Sequence, residues 1–189
     1  MQTDIHAHQV LSTFGLTGVT YFPRPTSSHM HPGTARFLAT VGLPSSKLFS
    51  TKLDLDSPSP LECRPSLKAA FDAGGVTLCE EAELWEVLGE FQYATVALDP
   101  QTGQVYSFAE SEESYVPIHK DVASLVHALT AVETGLAELK KLPHHDDQAR
   151  AEAIDRLRDR IVQIDETPFA SDDGSWSRFF EELAFGMWG

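Results

Sequence analysis

Residues 34–50 read TARFLATVGLPSSKLFS. Thr34 is suited to cap a helix, its hydroxyl accepting a hydrogen bond from an early backbone N–H. Phe37, Leu38 and Val41 then fall on one helical face. Gly42 stands where a helix takes a left-handed residue, a conformation that glycine alone adopts without steric cost. Leu43 is placed to touch Leu38, and Pro44 cannot continue the helix. The stretch therefore predicts a short helix with a firm stop. A half-buried strand follows, since Leu48 to Leu55 alternates apolar and polar residues.

On the N-terminal side, Phe14 to Phe22 holds the strand formers Val19, Thr20, Tyr21 and Phe22, ended by Pro23 and Pro25. Residues 1–13 are polar with little periodicity and read as a flexible lead, which leaves 14–189 as the domain. On the C-terminal side, SPSPLECRPS (57–66) reads as a loop, and SLKAAFDAGG (66–75) as one or two helical turns. Phe91 to Leu98 and Gln104 to Phe108 flank DPQTG, a hairpin turn with Gly103 at a position that favours positive φ. Leu84 to Leu88 fits either a strand beside that hairpin or a helix.

Beyond the hairpin the period changes. Val122, Leu125, Leu129, Val132, Leu136 and Leu139 form one helical stripe, with Asp121 as cap and Pro143 as stop. Ile154, Leu157, Ile161 and Ile164 repeat the spacing in a second helix that begins near Asp146 or Asp147 and carries a charged outer face. Trp176, Phe179, Phe180 and Leu183 line a last helix that closes at Gly186. Strands followed by helices indicate an α+β domain.

The 189 residues carry 28 acidic and 14 basic side chains, a net charge of −14. Such a surface repels phosphate backbones and attracts a basic partner, although acidity also serves solubility alone. No apolar run is long enough to span a membrane. The N-terminus MQTDIHAHQV has neither the basic start nor the apolar stretch of a secretory signal, so a cytoplasmic location is expected. Cys63 and Cys79 fit a reducing compartment and are too few for a cysteine-only zinc site.

Catalytic patterns are sparse. His6 and His8 have the spacing of a metal-binding pair on a strand, but no apolar strand precedes them. His29 and His31 lie in a Pro/Ser loop. His144, His145, Asp146 and Asp147 read as a polar connection. The sequence lacks G-x-S-x-G, H-E-x-x-H, a phosphate loop, a dinucleotide fingerprint and the zinc-deaminase pattern. Three acidic clusters remain: Glu80, Glu81 and Glu83; Glu110, Glu112 and Glu113; and Asp172 and Asp173. They read as solvated surface or as a docking face for a basic protein.

Taken in order, TARFLATVGLP (34–44), a strand from Phe49, LDPQTGQVYSF (98–108), a helix opening HKDVASLVHAL (119–129) and a late WSRFFEELAFGM (176–187) resemble the SUKH superfamily, most closely its fourth immunity subfamily. The resemblance runs over roughly residues 14–188. It implies a curved, mainly antiparallel sheet with helices against it. His119 stands where those proteins usually carry Asn, and Asp121 takes the place of the capping Ser. The resemblance further implies a binding protein rather than an enzyme, needing no cofactor or metal, that neutralises a bacterial polymorphic toxin in the producing cell. The expected partner is that toxin, a basic nuclease or nucleic-acid deaminase, with no direct binding of nucleic acid or membrane. The resemblance sets no oligomeric state. Candidate contacts are Glu80, Glu81, Glu83, Glu110, Glu112 and Glu113, with Trp85 and Tyr115 as aromatic anchors or, equally, as core. The rival readings are a regulatory scaffold of the same fold and a small metal hydrolase using His6, His8 and a distant carboxylate.

Overall fold

The computed structural model describes residues 5–22, 30–51, 66–68, 80–91, 94–109, 115–143 and 146–188. Helices α1 (Ala7–Phe14), α2 (Pro32–Thr40), α3 (Val122–Leu139), α4 (Asp147–Val162) and α5 (Ser175–Ala184) lie among these residues. So do strands β1 (Val19–Thr20), β2 (Leu43–Pro44), β3 (Phe49–Thr51), β4 (Glu86–Phe91), β5 (Ala94–Leu98), β6 (Val105–Ala109) and β7 (Tyr115–His119). β1 and β2 pair as a small antiparallel ribbon, and β3 to β7 form a five-stranded antiparallel sheet in chain order. The architecture is α+β, as the sequence predicts.

α2 ends as its residues dictate. The N–H groups of Val41 and Gly42 both donate to the Phe37 carbonyl, and the Phe22 N–H takes the Leu38 carbonyl, so two orphan acceptors of the last turn are satisfied. Gly42 has φ +81°. A Cβ on it would stand 2.6 Å from the Thr20 carbonyl oxygen and 2.8 Å from Val19 Cγ1. The stop thus also lets the β1–β2 ribbon close against the helix end. The start differs from the sequence expectation. His31, not Thr34, is the cap residue, with Pro32 in the first turn. Proline's fixed φ is suited to a first helical position, so the helix begins earlier and Thr34 sits inside it.

Other boundaries shift for local reasons. Over Phe14 to Phe22 only Val19 and Thr20 are strand. Phe14 closes α1, Gly15 at φ +72° breaks it, and Leu16–Gly18 form a 3₁₀ turn. Residues 7–14, where composition predicts no element, are helical. His6 and Gln9 form a capping box there, and Val10 is buried against the core. The run Phe91 to Leu98 divides into two strands, Phe91 pairing with Ala94 across the junction of β4 and β5. Glu86–Leu88 belongs to β4, which selects the strand reading of that segment. α3 stops at Leu139, four residues short of Pro143, and Ile164 lies past the end of α4. The strand expected over 48–55 appears as Phe49–Thr51, with 52–55 outside the described residues. Of the loop and helical turns expected over 57–75, only Ser66, Leu67 and Lys68 are described.

The sheet has two apolar faces. Phe49, Leu88, Phe91, Val96, Leu98, Val105 and Ile118 join the helices in the main core. That core takes Leu125, Leu129 and Val132 from α3, Leu157 and Ile161 from α4, and Trp176, Phe179 and Leu183 from α5. The stripe predicted for α3 faces it. The opposite face holds a smaller cluster of Leu67, Ala82, Trp85, Val87, Ala97 and Phe108, with Tyr106 and Tyr115 packed on it. The hairpin turn forms as its residues require. The Asp99 carboxylate accepts from the Gln101 N–H and the Thr102 hydroxyl, and Gly103 has φ +82°. β7 is an outer strand. Pro117 at its centre has no N–H to offer a further strand, which discourages pairing with another chain.

Candidate interaction surface

Glu80–Ala82 form a 3₁₀ turn that delivers the chain into β4. Ala82 is fully buried, and the Trp85 N–H donates to its carbonyl oxygen at 3.0 Å. Leu84 and Trp85 leave this turn in opposite directions. Trp85 turns inward and is 5% exposed, while its neighbour Leu84 turns outward and is 73% exposed. The Trp85 ring stacks on Tyr106 with centroids 4.2 Å apart and meets the edge of Tyr115 at 4.8 Å. The Tyr115 hydroxyl donates to Glu81 Oε2 at 3.0 Å. Lys68 Nζ pairs with Glu83 Oε1 at 2.8 Å, and the Leu67 N–H donates to the Trp85 carbonyl. The result is a ledge pinned by an aromatic cluster. Leu84 stands on it just after exposed Glu80 and Glu81 and half-exposed Glu83 in the chain.

The structure therefore brings five of the eight candidate contacts together: Glu80, Glu81, Glu83, Trp85 and Tyr115. Trp85 sits in the packed layer below the ledge, and Tyr115 is half-buried. Glu110, Glu112 and Glu113 lie outside the described residues, in the connection between β6 and β7. The field of the carboxylates reaches the cluster. Burial, then the charges of Asp99 and Glu81, push the Tyr106 phenol above its ordinary value, and its hydroxyl donates to Gln104 Oε1. Leu84 is the ledge residue that sequence reasoning misses. Its only signal is an apolar side chain flanked by Glu83, and that does not distinguish it from adjacent Trp85.

A second polar constellation joins His119, which the sequence singles out, to partners that the sequence does not connect with it. His119, at the end of β7, has no exposed surface. Its Nδ1 lies 3.4 Å from Asp165 Oδ2 and 3.3 Å from Ser124 Oγ. Ser124 Oγ lies 2.8 Å from the same carboxylate oxygen, which also accepts the Lys120 N–H. Asp165 Oδ1 accepts from the Thr167 N–H and hydroxyl. Burial pushes the Asp165 carboxyl up, but the bonds from His119, Thr167, Lys120 and Ser124 outweigh it and hold the group well below the usual carboxylate range. Burial pulls the His119 imidazole below its ordinary value, against the hydrogen bond and charge of Asp165 and the charge of Asp121.

Serine, histidine and aspartate together raise the question of a hydrolytic triad. A triad needs the serine on one ring nitrogen and the carboxylate on the other. Here both lie on Nδ1, Nε2 has no hydrogen-bond partner among the described residues, and all three side chains are buried. The set is arranged as a structural tie. Asp121 caps α3 beside it, accepting from the Ser124 N–H at 2.7 Å.

Few of the metal-ligating candidates lie among the described residues. Exposed His6 and His8 stack with ring centroids 5.7 Å apart on the first turn of α1. His29, His144, His145, Cys63 and Cys79 lie outside the described residues. Among the described residues, no three His, Cys, Asp or Glu side chains are placed to hold a metal ion. A cleft of about 280 Å³ opens between the start of α2, the Thr102–Gly103 turn and the start of α3, lined in part by Phe37, Val122, Lys120 and Asp121. Lys120 Nζ is committed there to the Ile164 carbonyl, and Asp121 to its cap.

Comparison with known proteins gives one match. The family model described as SUKH-4 immunity protein aligns with residues 5–182, nearly the whole chain. No curated protein and no solved structure matches.

Proposed function

The chain belongs to the SUKH-4 immunity protein family, and from that premise we propose that it neutralises a cognate toxin by forming a stoichiometric complex, without turnover of its own. The family match over residues 5–182 carries this reading. The partner is a basic protein, a nuclease or nucleic-acid deaminase whose cleft is built to hold phosphates, and the −14 chain docks against that cleft. The docking point is the Leu84 ledge, where an exposed apolar side chain directly follows Glu80, Glu81 and Glu83 in the chain, beside the packed Trp85. An apolar anchor with a polar rim is the arrangement in which a few residues dominate affinity. The carboxylates contribute chiefly to encounter rate, and screening by salt reduces that contribution.

The test is co-purification with the product of the neighbouring toxin gene, followed by titration of the toxin's activity. We expect inhibition to be complete at one chain per toxin. Leu84→Asp should weaken the complex about thirtyfold, the factor set by a loss of about 2 kcal/mol at a hot spot, with an unchanged thermal melt. Raising the salt concentration should lower the association rate far more than it changes the dissociation rate. Inhibition at well below one equivalent would mean turnover and refute the binding mechanism. Unchanged affinity of Leu84→Asp would remove the ledge from the interface.

A further inference from the structure

We propose that His119 is a proton-operated clasp, holding the segment from Asp165 through α5 against the sheet when neutral and releasing it when charged. Its placement carries the inference. The imidazole lies at the point where three parts of the chain meet: the end of β7, the start of α3, and the connection from α4 to α5. Asp165 is the hub of that junction. It receives the Lys120 N–H and the Ser124 hydroxyl from one side, and the Thr167 N–H and hydroxyl from its own. Lys120 Nζ adds a bond to the Ile164 carbonyl across the same seam. Trp176 of α5 then meets the imidazole edge to face, with ring centroids 5.4 Å apart and an interplanar angle of 86°.

The neutral ring suits this site. Nδ1 faces Asp165 and Ser124, while Nε2 is buried without a hydrogen-bond partner among the described residues. A second proton on the ring would place an N–H on Nε2, with no acceptor for it among those residues, inside the core beside Trp176. The groups facing the imidazole come from each element around it. Asp165 and Asp121 favour the added charge. Lys120 opposes it, and burial opposes it most strongly, while His119 in turn helps hold the His127 imidazole of α3 below its ordinary value. Val105, opposite His119 across β6, is apolar. The charged ring is accommodated when Trp176 and α5 move away and water reaches Nε2. The opened form therefore binds the extra proton more readily than the closed form. Its population rises as pH falls below the ordinary imidazole value of about 6.5, by at most about tenfold per pH unit for one proton. Asp165, held low, titrates only in more acid solution and leaves this window to the histidines.

Hydrogen exchange of the full chain at pH 7.0, 6.0 and 5.0, expressed as protection factors, tests this. Protection over residues 165–184 should fall several-fold per pH unit, while protection in β5 and β6 changes much less. His119→Asn, which cannot take a proton, should remove that dependence, and His127→Gln should preserve it. The same slope in His119→Asn, a slope abolished by His127→Gln, or an equal slope in β5 and β6 would each overturn the clasp. If His119→Asn fails to fold, the imidazole Cε1–H resonance of the unmutated chain decides. A His119 that titrates at the ordinary imidazole value with undiminished protection over 165–184 overturns the proposal. Titration below that value, in step with lost protection there, upholds it.

Discussion

Gly42→Ala tests the helix stop from which the fold was read. Two separate costs fall on the new methyl group. At φ +81° the backbone is left-handed, and an L-residue there costs about 1–2 kcal/mol. The Cβ would also stand 2.6 Å from the Thr20 carbonyl oxygen and 2.8 Å from Val19 Cγ1. The first of these is backbone in β1, which can move only by disturbing its pairing with Leu43. Overpacking of this kind costs about 1–3 kcal/mol. The sum is about 2–5 kcal/mol, or a fall in Tm of roughly 4–20 °C for a chain of this length. Gly186→Ala supplies the comparison, because Gly186 has φ +78° with no atom of the described residues within 4 Å of its hypothetical Cβ. It should show the conformational part alone, about 1–2 kcal/mol. Urea unfolding, with the slope against denaturant compared among all three chains, separates a change in stability from a change in the unfolded state. Equal losses in the two variants would refute the close approach of β1 to the helix end. No loss in either would refute the left-handed stop itself.

Two further changes probe the charged groups by their position. Asp121→Ala removes the acceptor of the Ser124 N–H at the start of α3 and should lower stability at pH 7 by about 0.5–2 kcal/mol, read from urea unfolding. Glu138→Gln breaks the pair with Arg160 between α3 and α4, whose side chains are both more than a third exposed. It should change stability by less than about 1 kcal/mol, and still less in high salt, when followed by thermal melting.

Several elements were legible because one local rule specifies each of them. The 3,4,3,4,3 spacing from Val122 to Leu139 gives α3 its buried face, and Asp121 and Asp146 cap α3 and α4 as their positions predict. Asp99 and Gly103 define the hairpin turn. The rest depends on contacts that no local rule encodes. α1 is easily missed because its stripe, Ala7, Val10, Leu11 and Phe14, runs for only two turns among polar residues, although Leu11 and Phe14 pack on the core beside buried Val10. The junction of β4 and β5 is hidden because Gln92 and Tyr93 are not turn-forming residues, so Phe91 to Leu98 reads as one strand. Gly135 lies off the stripe, yet its missing side chain lets Leu157 pack closely on α3: a Cβ would stand 2.8 Å from Leu157 Cδ2. His119 and Asp165 are far apart in the chain and meet only when α4 folds back along α3.

The candidate surface shows the same dependence at the scale of one residue. Leu84 and Trp85 are adjacent and apolar, so periodicity cannot say which faces water. The fold decides it: as the chain leaves the 3₁₀ turn, the indole goes to the interior and Leu84 to solvent. The consequence for recognition is physical. A net charge of −14 attracts any basic protein, and it does so at a range that physiological salt cuts to about 8 Å. Charge alone therefore speeds encounter without selecting a partner. Selection needs a feature whose position is fixed to within a bond length, and an exposed leucine on a flexible loop would not supply it. On the proposed reading, the Trp85, Tyr106 and Tyr115 cluster fixes that position, and Leu84 with the carboxylates just before it in the chain presents it. The aromatic residues then act in recognition without touching the partner, as the support that keeps the ledge in one shape.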